Sequence, residues 1–439
     1  MYPLARILPV LATSMVLSTP AFSADARSIA LGGSAIANAQ GVAGAVENPA
    51  SMMQMKRDGD RFHFRFGISS EVRDTGSVID TLTDSANDNL VSDIETQIDE
   101  LSNRQIQCDP VFGNADDICL SDTQSLSDLA NQFLDAMNNI DDQSVEGQAS
   151  GDLGIAFTNV RYPIAVNFKV MGSGVGTPDI AESDKDYIRE FANLLDNNSL
   201  TLDEIANSNY LEADALGIPL GVQQPEDVLL SSGTSSALLR SQLSISIAST
   251  INVGGYEVDT GITPKFSSLT AYHLDANIRE ELDDNTPGLA DRYEDSEATD
   301  GSFTFDIGAS IDLTDHGFRV ATVVRNLIPE SITTASGFEF ETTPQLIVGG
   351  LYKINKFSFT GDMALNKAKV DNFETQKIAF GAEYGSKKFA LRAGLSYEGA
   401  RSSDKTAMSF GFGLGPLQFG IRGSDIYSME SSLQLAYSF

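Results

Sequence analysis

Gly301-Ser302-Phe303-Thr304-Phe305-Asp306-Ile307-Gly308-Ala309-Ser310-Ile311-Asp312-Leu313 is the stretch on which the fold turns. Phe303, Phe305, Ile307, Ala309, Ile311 and Leu313 fall on one side of an extended chain; Thr304, Asp306, Gly308, Ser310 and Asp312 fall on the other. Period-two alternation is the mark of a strand with one apolar face. Lys356–Asn366 and Lys387–Glu398 repeat it, with Phe357, Phe359, Met363 and Leu365, then Phe389, Leu391, Ala393, Leu395 and Tyr397, on their apolar sides. A soluble sandwich also alternates. Lengths near ten residues, and opposite faces that are small or charged, favour strands with lipid outside and a wet lumen inside.

About fourteen such segments follow one another, near 61–72, 151–158, 163–172, 240–251, 255–266, 301–313, 317–326, 342–354, 356–367, 375–385, 387–398, 406–414, 416–423 and 431–439. An even number suits a bacterial single-chain barrel. Their connections alternate in length. Gaps such as 73–150, 173–239, 267–300 and 327–341 are long, whereas Asn159–Tyr162, Asn252–Gly254, Thr314–His316, Asn355, Ser386 and Gly415 are tight. Long loops outside and short periplasmic turns give this order, and they place both termini in the periplasm. The expected fold is therefore all-β: an antiparallel transmembrane barrel of about fourteen strands. The chain ends Leu433-Gln434-Leu435-Ala436-Tyr437-Ser438-Phe439, which resembles the C-terminal strand signal by which outer-membrane barrels engage their assembly machinery, with Phe439 as the terminal residue. Trp is absent, so an interfacial girdle has to be built from Tyr and Phe.

The N-terminus reads as a secretory signal, 1–23. Arg6 supplies the positive region, Ile7–Ser18 the apolar core, and Ala21, Ser23, Ala24 and Ala26 the small residues around cleavage after Ser23 or Ala26. No later stretch is long and apolar enough for a spanning helix. Cys108 and Cys119 lie close together in an exported chain, which makes a disulfide between them the natural expectation.

Residues 24–60 are rich in Ala and Gly. They suit a hatch folded inside the barrel, with a free periplasmic leader as the alternative. Gly32, Gly33, Asn48, Pro49 and Ala50 punctuate this segment, and the Asn48 side chain is the candidate anchor of hatch to wall. The barrel then occupies 61–439, with insertions near 74–150, 173–239 and 275–300. Residues 75–150 hold sixteen acidic side chains against Arg104 alone. Apolar residues recur at helical spacing in Val91–Leu101, in Ser125–Met137 and around Ile188–Leu195, so these insertions read as helical caps. Leu129, Phe133, Met137, Phe191 and Leu195 are candidates for capturing an apolar ligand; the same residues would serve equally as the core of the cap.

Leu31-Gly32-Gly33, the Ala/Gly run and Asn48-Pro49-Ala50 together resemble the hatch of long-chain fatty-acid transporter (FadL-like) barrels. Val324-Arg325-Asn326-Leu327, Thr343-Pro344-Gln345, Gly361-Asp362-Met363-Ala364-Leu365, Phe380-Gly381-Ala382-Glu383-Tyr384 and Leu391-Arg392-Ala393-Gly394 resemble the barrel family labelled conjugal transfer protein TraF. The resemblance covers the hatch and most of 300–439, and it leaves out the long acidic insertions. It implies passive movement of hydrophobic small molecules through a plugged barrel lying in outer-membrane lipid.

A net charge of −32 repels nucleic acid. The inner faces carry both signs, Asp306, Asp312, Asp362 and Glu383 against Arg319, Lys377, Lys388, Arg392 and Arg422, which can pair with one another and with a plug. No cofactor or metal motif is present. Asp116-Asp117, Asp141-Asp142 and Asp283-Asp284 lack EF-hand spacing. His63, His273 and His316 have no triad partner by local motif, and G-x-S-x-G, H-E-x-x-H and phosphate loops are missing, so no catalytic residue is assigned. Three functions compete: a plugged channel for hydrophobic small molecules, a surface or conjugation accessory acting through the acidic loops, and an outer-membrane hydrolase. A Ser–His pair on the wall would favour the last.

Overall fold

The computed structural model describes residues 25–439 except 60, 77, 88–92, 94–116, 119–122, 197–199, 202–210, 214–218, 223–229, 278–288, 315–316, 372, 387, 401–404 and 426–427. The signal segment, Cys108, Cys119 and His316 lie outside the described residues, as does most of Val91–Leu101.

The wall has fourteen strands: β1 (Phe62–Asp74), β2 (Val145–Phe157), β3 (Ile164–Asp179), β4 (Ser232–Val253), β5 (Tyr256–Asn277), β6 (Ala298–Thr314), β7 (Phe318–Arg325), β8 (Gln345–Ile354), β9 (Phe357–Ala364), β10 (Lys377–Ser386), β11 (Phe389–Glu398), β12 (Thr406–Leu414), β13 (Leu417–Gly423) and β14 (Met429–Ser438). Each pairs antiparallel with its neighbours in sequence, and β1 pairs with both β2 and β14, closing the barrel. Closure leaves no edge strand, the one way a sheet can satisfy its backbone in lipid.

Alternation is realised with the apolar side outward. Phe168, Leu243, Phe303, Phe380, Leu395 and Phe410 are exposed on the outer surface, whereas Thr304, Asp306 and Ser310 are buried. At the end with the short turns, Phe157, Phe62, Phe439 and Tyr437 form one run of aromatic contacts and Tyr384, Phe357 and Phe359 another, with centroids 4.7–6.3 Å apart. The girdle is thus built of Phe and Tyr, as a chain without Trp requires. The backbone of Phe439 pairs with Phe62 and Arg61, so the C-terminus and the entry into β1 sit together at this end.

Four strands are longer than the alternation suggests. β4 and β5 run 22 residues each, and β2 and β3 extend into segments read as insertions, so 145–150, 173–179 and 232–239 belong to the wall. Past Phe266 the outward positions of β5 are Ser268, Thr270 and Tyr272, so the outward face turns polar and the period-two signal is lost.

A second difference concerns 327–341 and 368–374, expected as free connections. Glu330–Thr333 pairs with Glu339–Thr342, and Ala368–Val370 pairs with Phe373–Thr375. The first hairpin turns inward: Ile332 and Phe340 pack on Leu238, Leu269 and Ala271 of the inner wall.

Inside the barrel lie three short helices, α1 (Ala26–Ala30), α2 (Gly41–Glu47) and α3 (Ser51–Arg57), the segment read as the hatch. Beyond the long-loop end stand α4 (Val78–Asn87), α5 (Thr123–Ile140), α6 (Glu182–Asp196) and α7 (Leu289–Asp295). Among the described residues no helix is long and apolar enough to cross a membrane.

Candidate functional site: the plugged lumen

The hatch is fitted to the wall by missing side chains. A Cβ on Gly381 would stand 2.7–2.9 Å from Leu31, and one on Gly420 would collide with Ala26 O. A Cβ on Gly394 would strike Leu31 and the backbone of Gly32. Gly32 and Gly33, at φ +76° and +93°, make the turn after α1 that brings the chain this close. The small residues of the hatch and the glycines of the wall are two halves of one contact.

Charge supplies the specific ties. Arg27 donates to both carboxylate oxygens of Glu383, at 2.8 and 3.0 Å, and Arg392 reaches the same group at 2.6 Å. Arg27 also holds Asn38 across the hatch, at 2.8 Å to its side chain. Asp362 accepts from the backbone N–H of Ala35 (2.6 Å) and of Ile36 (2.9 Å), while Ser34 bonds Thr360 at 2.8 Å. Glu47 pairs with Arg325, and Arg57 with Asp259. Charge-assisted bonds out of water are stronger than neutral ones and would leave a costly unpaired ion if broken. Two of the four inner-face carboxylates legible in the sequence, Asp362 and Glu383, are therefore hatch receptors. Arg27, the cation that Glu383 meets, was missed because one Arg in an Ala/Gly segment gives no periodic signal. Asp312 pairs with Arg319 at 2.8 Å, and Lys388 is exposed near the short-turn end of β11.

Asn48 is fully buried. Its side chain donates to Ile36 O at 3.1 Å and accepts from Ala50 N at 3.1 Å, so these hydrogen bonds tie the hatch to itself. Toward the wall it makes a steric contact: a Cβ on Gly308 would overlap Asn48 Oδ1 and stand 3.0 Å from Pro49.

The inner hairpins converge on one cation. Arg240, on the inner face of β4, bonds Glu330 at 2.7 Å and Asp371 at 2.5 Å, and Thr342 at 3.3 Å. Glu330 also accepts from Ser302 of β6. Nearby, the His273 ring stacks on Phe338 with centroids 4.0 Å apart. Its Nδ1 lies 2.8 Å from Ser236 Oγ and its Nε2 3.2 Å from Asp275. A Ser–His pair does form across β4 and β5, but on the inner face. Ser236 is 4% exposed and the imidazole is covered by Phe338, so the group acts as a clasp for the hairpin. Sequence reasoning could not place Arg240, because its partners are 90 and 131 residues away.

In the cap, Phe133 and Met137 of α5 are buried and Leu129 is half-buried. Ser127 bonds Ala192 O of α6 at 2.9 Å, and burial pushes the Tyr187 hydroxyl up to about 12. Phe191 and Leu195 lie on α6, with side chains outside the described residues. Asp141, Asp142 and Asp179 gather within 4.8 Å, with Asp141 neutralised by Lys185 at 2.5 Å.

Between the hatch below and the inner hairpins above lies a chamber of about 210 Å³. Ile29, Ile36 and Val46 face it from the hatch; Met171, Ile347 and Val370 do so from the wall and the second hairpin. Charged and neutral polar side chains, with Ala364 and Ala379, line the rest.

A closed fourteen-strand wall with an apolar outer belt, an internal hatch and inward-folded loops defines a plugged outer-membrane barrel. The chain belongs to the family described as F plasmid transfer operon, TraF, protein, whose model matches residues 45–363. That match spans both acidic insertions, which the motif resemblance had left out, and stops short of the last strands. Comparison with the curated proteins gives no match. Among solved structures the chain is similar to the P. putida toluene transporter TodX (11% identity, 94% of this chain and 98% of that one, TM-score 0.46). It is also similar to a Pseudomonas aeruginosa FadL homologue (10%, 96% and 100%, TM-score 0.40).

Proposed function

We propose that this protein is a plugged, passive outer-membrane conduit for small molecules with a hydrophobic body, its long-loop end facing outward and its short-turn end in the periplasm. The observation that carries the reading is the chamber. It is part apolar, and the two structures that bound it, the hatch and the inner hairpins, are separate segments tied to the wall by discrete side-chain contacts. Ligand sites combine apolar lining with a few placed polar groups in this way. The cap helices stand above as the capture surface: half-buried Leu129 of α5 is its candidate contact, while buried Phe133 and Met137 serve as the core beneath it. Phe439, which follows β14, is the contact offered to the assembly machinery.

Saturable binding of a fluorescent apolar probe to the purified protein, together with its entry into vesicles carrying the barrel, is the expected result. Deleting 78–140, which spans α4 and α5 and spares β1 and β2, should weaken binding if the cap captures the ligand. Neither binding nor entry would sink the conduit and favour a surface protein acting through its acidic loops.

Asn48 is the proposed keystone of the hatch. Asn48→Ala strips Ile36 O and Ala50 N of their buried partner, at about 1–3 kcal/mol. Limited proteolysis of the folded barrel should then cleave within 25–60 at a visibly higher rate. An unchanged cleavage rate would remove Asn48 from that role.

A further inference from the structure

Six cations and five carboxylates line the chamber, and not every cation among them has a direct ionic partner. Each carboxylate is committed. Glu47 is held by Arg325, and Asp371 by Arg240. Asp306 is held by Lys265 at 2.7 Å, and Glu430 by Arg422 at 2.5 Å. Asp362 is taken up by the hatch N–H groups of Ala35 and Ile36. Two cations remain, Lys169 on β3 and Lys377 on β10. Both face the chamber, and among the described residues neither has a hydrogen bond or a carboxylate within 4 Å. Asp152 stands opposite Lys169 and Glu398 opposite Lys377 in the strand register, without a direct ion pair to either. An ammonium group inside a barrel with no direct ionic contact is costly, and an anion arriving in the chamber would relieve that cost.

Lys377 is the better placed of the two. It lies beside Arg422 at the hatch turn, where a Cβ on Gly33 would stand 2.8 Å from Arg422 Nη1 and 3.3 Å from Lys377 Cδ. The glycine keeps that corner open. Lys377, Arg422 and Thr375 also line a second cavity, with Arg73, Glu398 and Lys405, that reaches Ser424 and Ser428 at the long-loop end. Lys377 and Arg422 thus border both the chamber and a small polar cavity of about 50 Å³ on the long-loop side. Size sets the other bound: an apolar cavity of about 150 Å³ in another protein takes benzene, and this chamber holds about 210 Å³.

We propose that the chamber binds a compact organic anion, a carboxylate or sulfonate on an apolar body about the size of one aromatic ring. Lys377 holds the anionic group, Ile29, Ile36 and Ile347 contact the body, and Lys169 supplies the second positive charge facing the same space. The inference rests on the conduit reading and narrows its substrate class.

The test is calorimetric titration of the full-length folded protein with benzoate, benzenesulfonate and the neutral benzyl alcohol, paired with vesicle entry of each. Wild type should bind both anions at least tenfold more tightly than the alcohol. Lys377→Gln should abolish that preference, Lys169→Gln should reduce it, and Lys377→Arg should retain it; Lys388→Gln, at an exposed position, should change nothing. Heat-modified mobility on a gel checks that each variant is a folded barrel. Equal binding of anions and alcohol, or a preference that survives Lys377→Gln, overturns the inference and leaves the conduit standing. No binding and no entry of any of the three overturns both.

Discussion

Gly381→Val combined with Gly420→Val is expected to drive the hatch out of its seat and raise ion conductance across a planar bilayer by roughly 30-fold or more. The estimate follows from what each new side chain meets. The atoms nearest a Cβ on Gly381 all belong to Leu31, and those nearest a Cβ on Gly420 belong to Ala26 and Ala30, so the clash falls on the hatch and spares neighbouring wall strands. Overpacking costs about 1–3 kcal/mol per site, and sites without shared partners add, giving about 2–6 kcal/mol against the seated state. At about 1.4 kcal/mol per factor of ten, the lower bound is already near 30-fold in the seated-to-displaced ratio. Gly350→Val is the control, because a Cβ there meets nothing within 4 Å while the change in strand propensity is the same. Conductance that stays at the wild-type level in the double variant, with the hatch still protected from protease, would show that the glycine fit is not what seats the plug.

Arg240→Met should release the two inner hairpins. Glu330 would keep Ser302, and Asp371 would keep Thr342, but each would lose its cation in a buried setting. Removing one partner of a buried ion cluster costs about 3–5 kcal/mol. The hairpins can escape that cost by swinging into water, since they are loops and not wall strands. Hydrogen exchange at 330–342 and 368–375 should accelerate about 100-fold, while the β4–β5 ladder stays protected. The triple variant Arg240→Met, Glu330→Gln, Asp371→Asn removes the stranded charges and should restore most of the protection. If it exchanges as fast as the single variant, the cation is not the lock. Both variants loosen one boundary of the same chamber, the first from below and the second from above.

The sequence by itself determined the wall. Alternation, the even strand number and the ordering of long and short gaps are local or cumulative signals, and lipid enforces them, because a strand facing hydrocarbon must show an apolar residue at every second position. The same signal disappeared where β4 and β5 rise above the lipid and where hairpins turn inward, since water on both sides imposes no period. The hatch was legible as composition, the run of small residues around Gly32 and Gly33, and so was the stock of inner-face charges. Their pairing was not. Arg27 meets Glu383 across 356 residues, and Arg240 meets Asp371 across 131. Only closure of the barrel brings such positions together, and no spacing rule encodes them. Tertiary structure alone therefore decided which charges seat the hatch, which lock the hairpins, and that Lys169 and Lys377 are left facing the chamber. Barrel geometry fixes the distances among side chains on opposite walls, and the ionic partners follow from those distances.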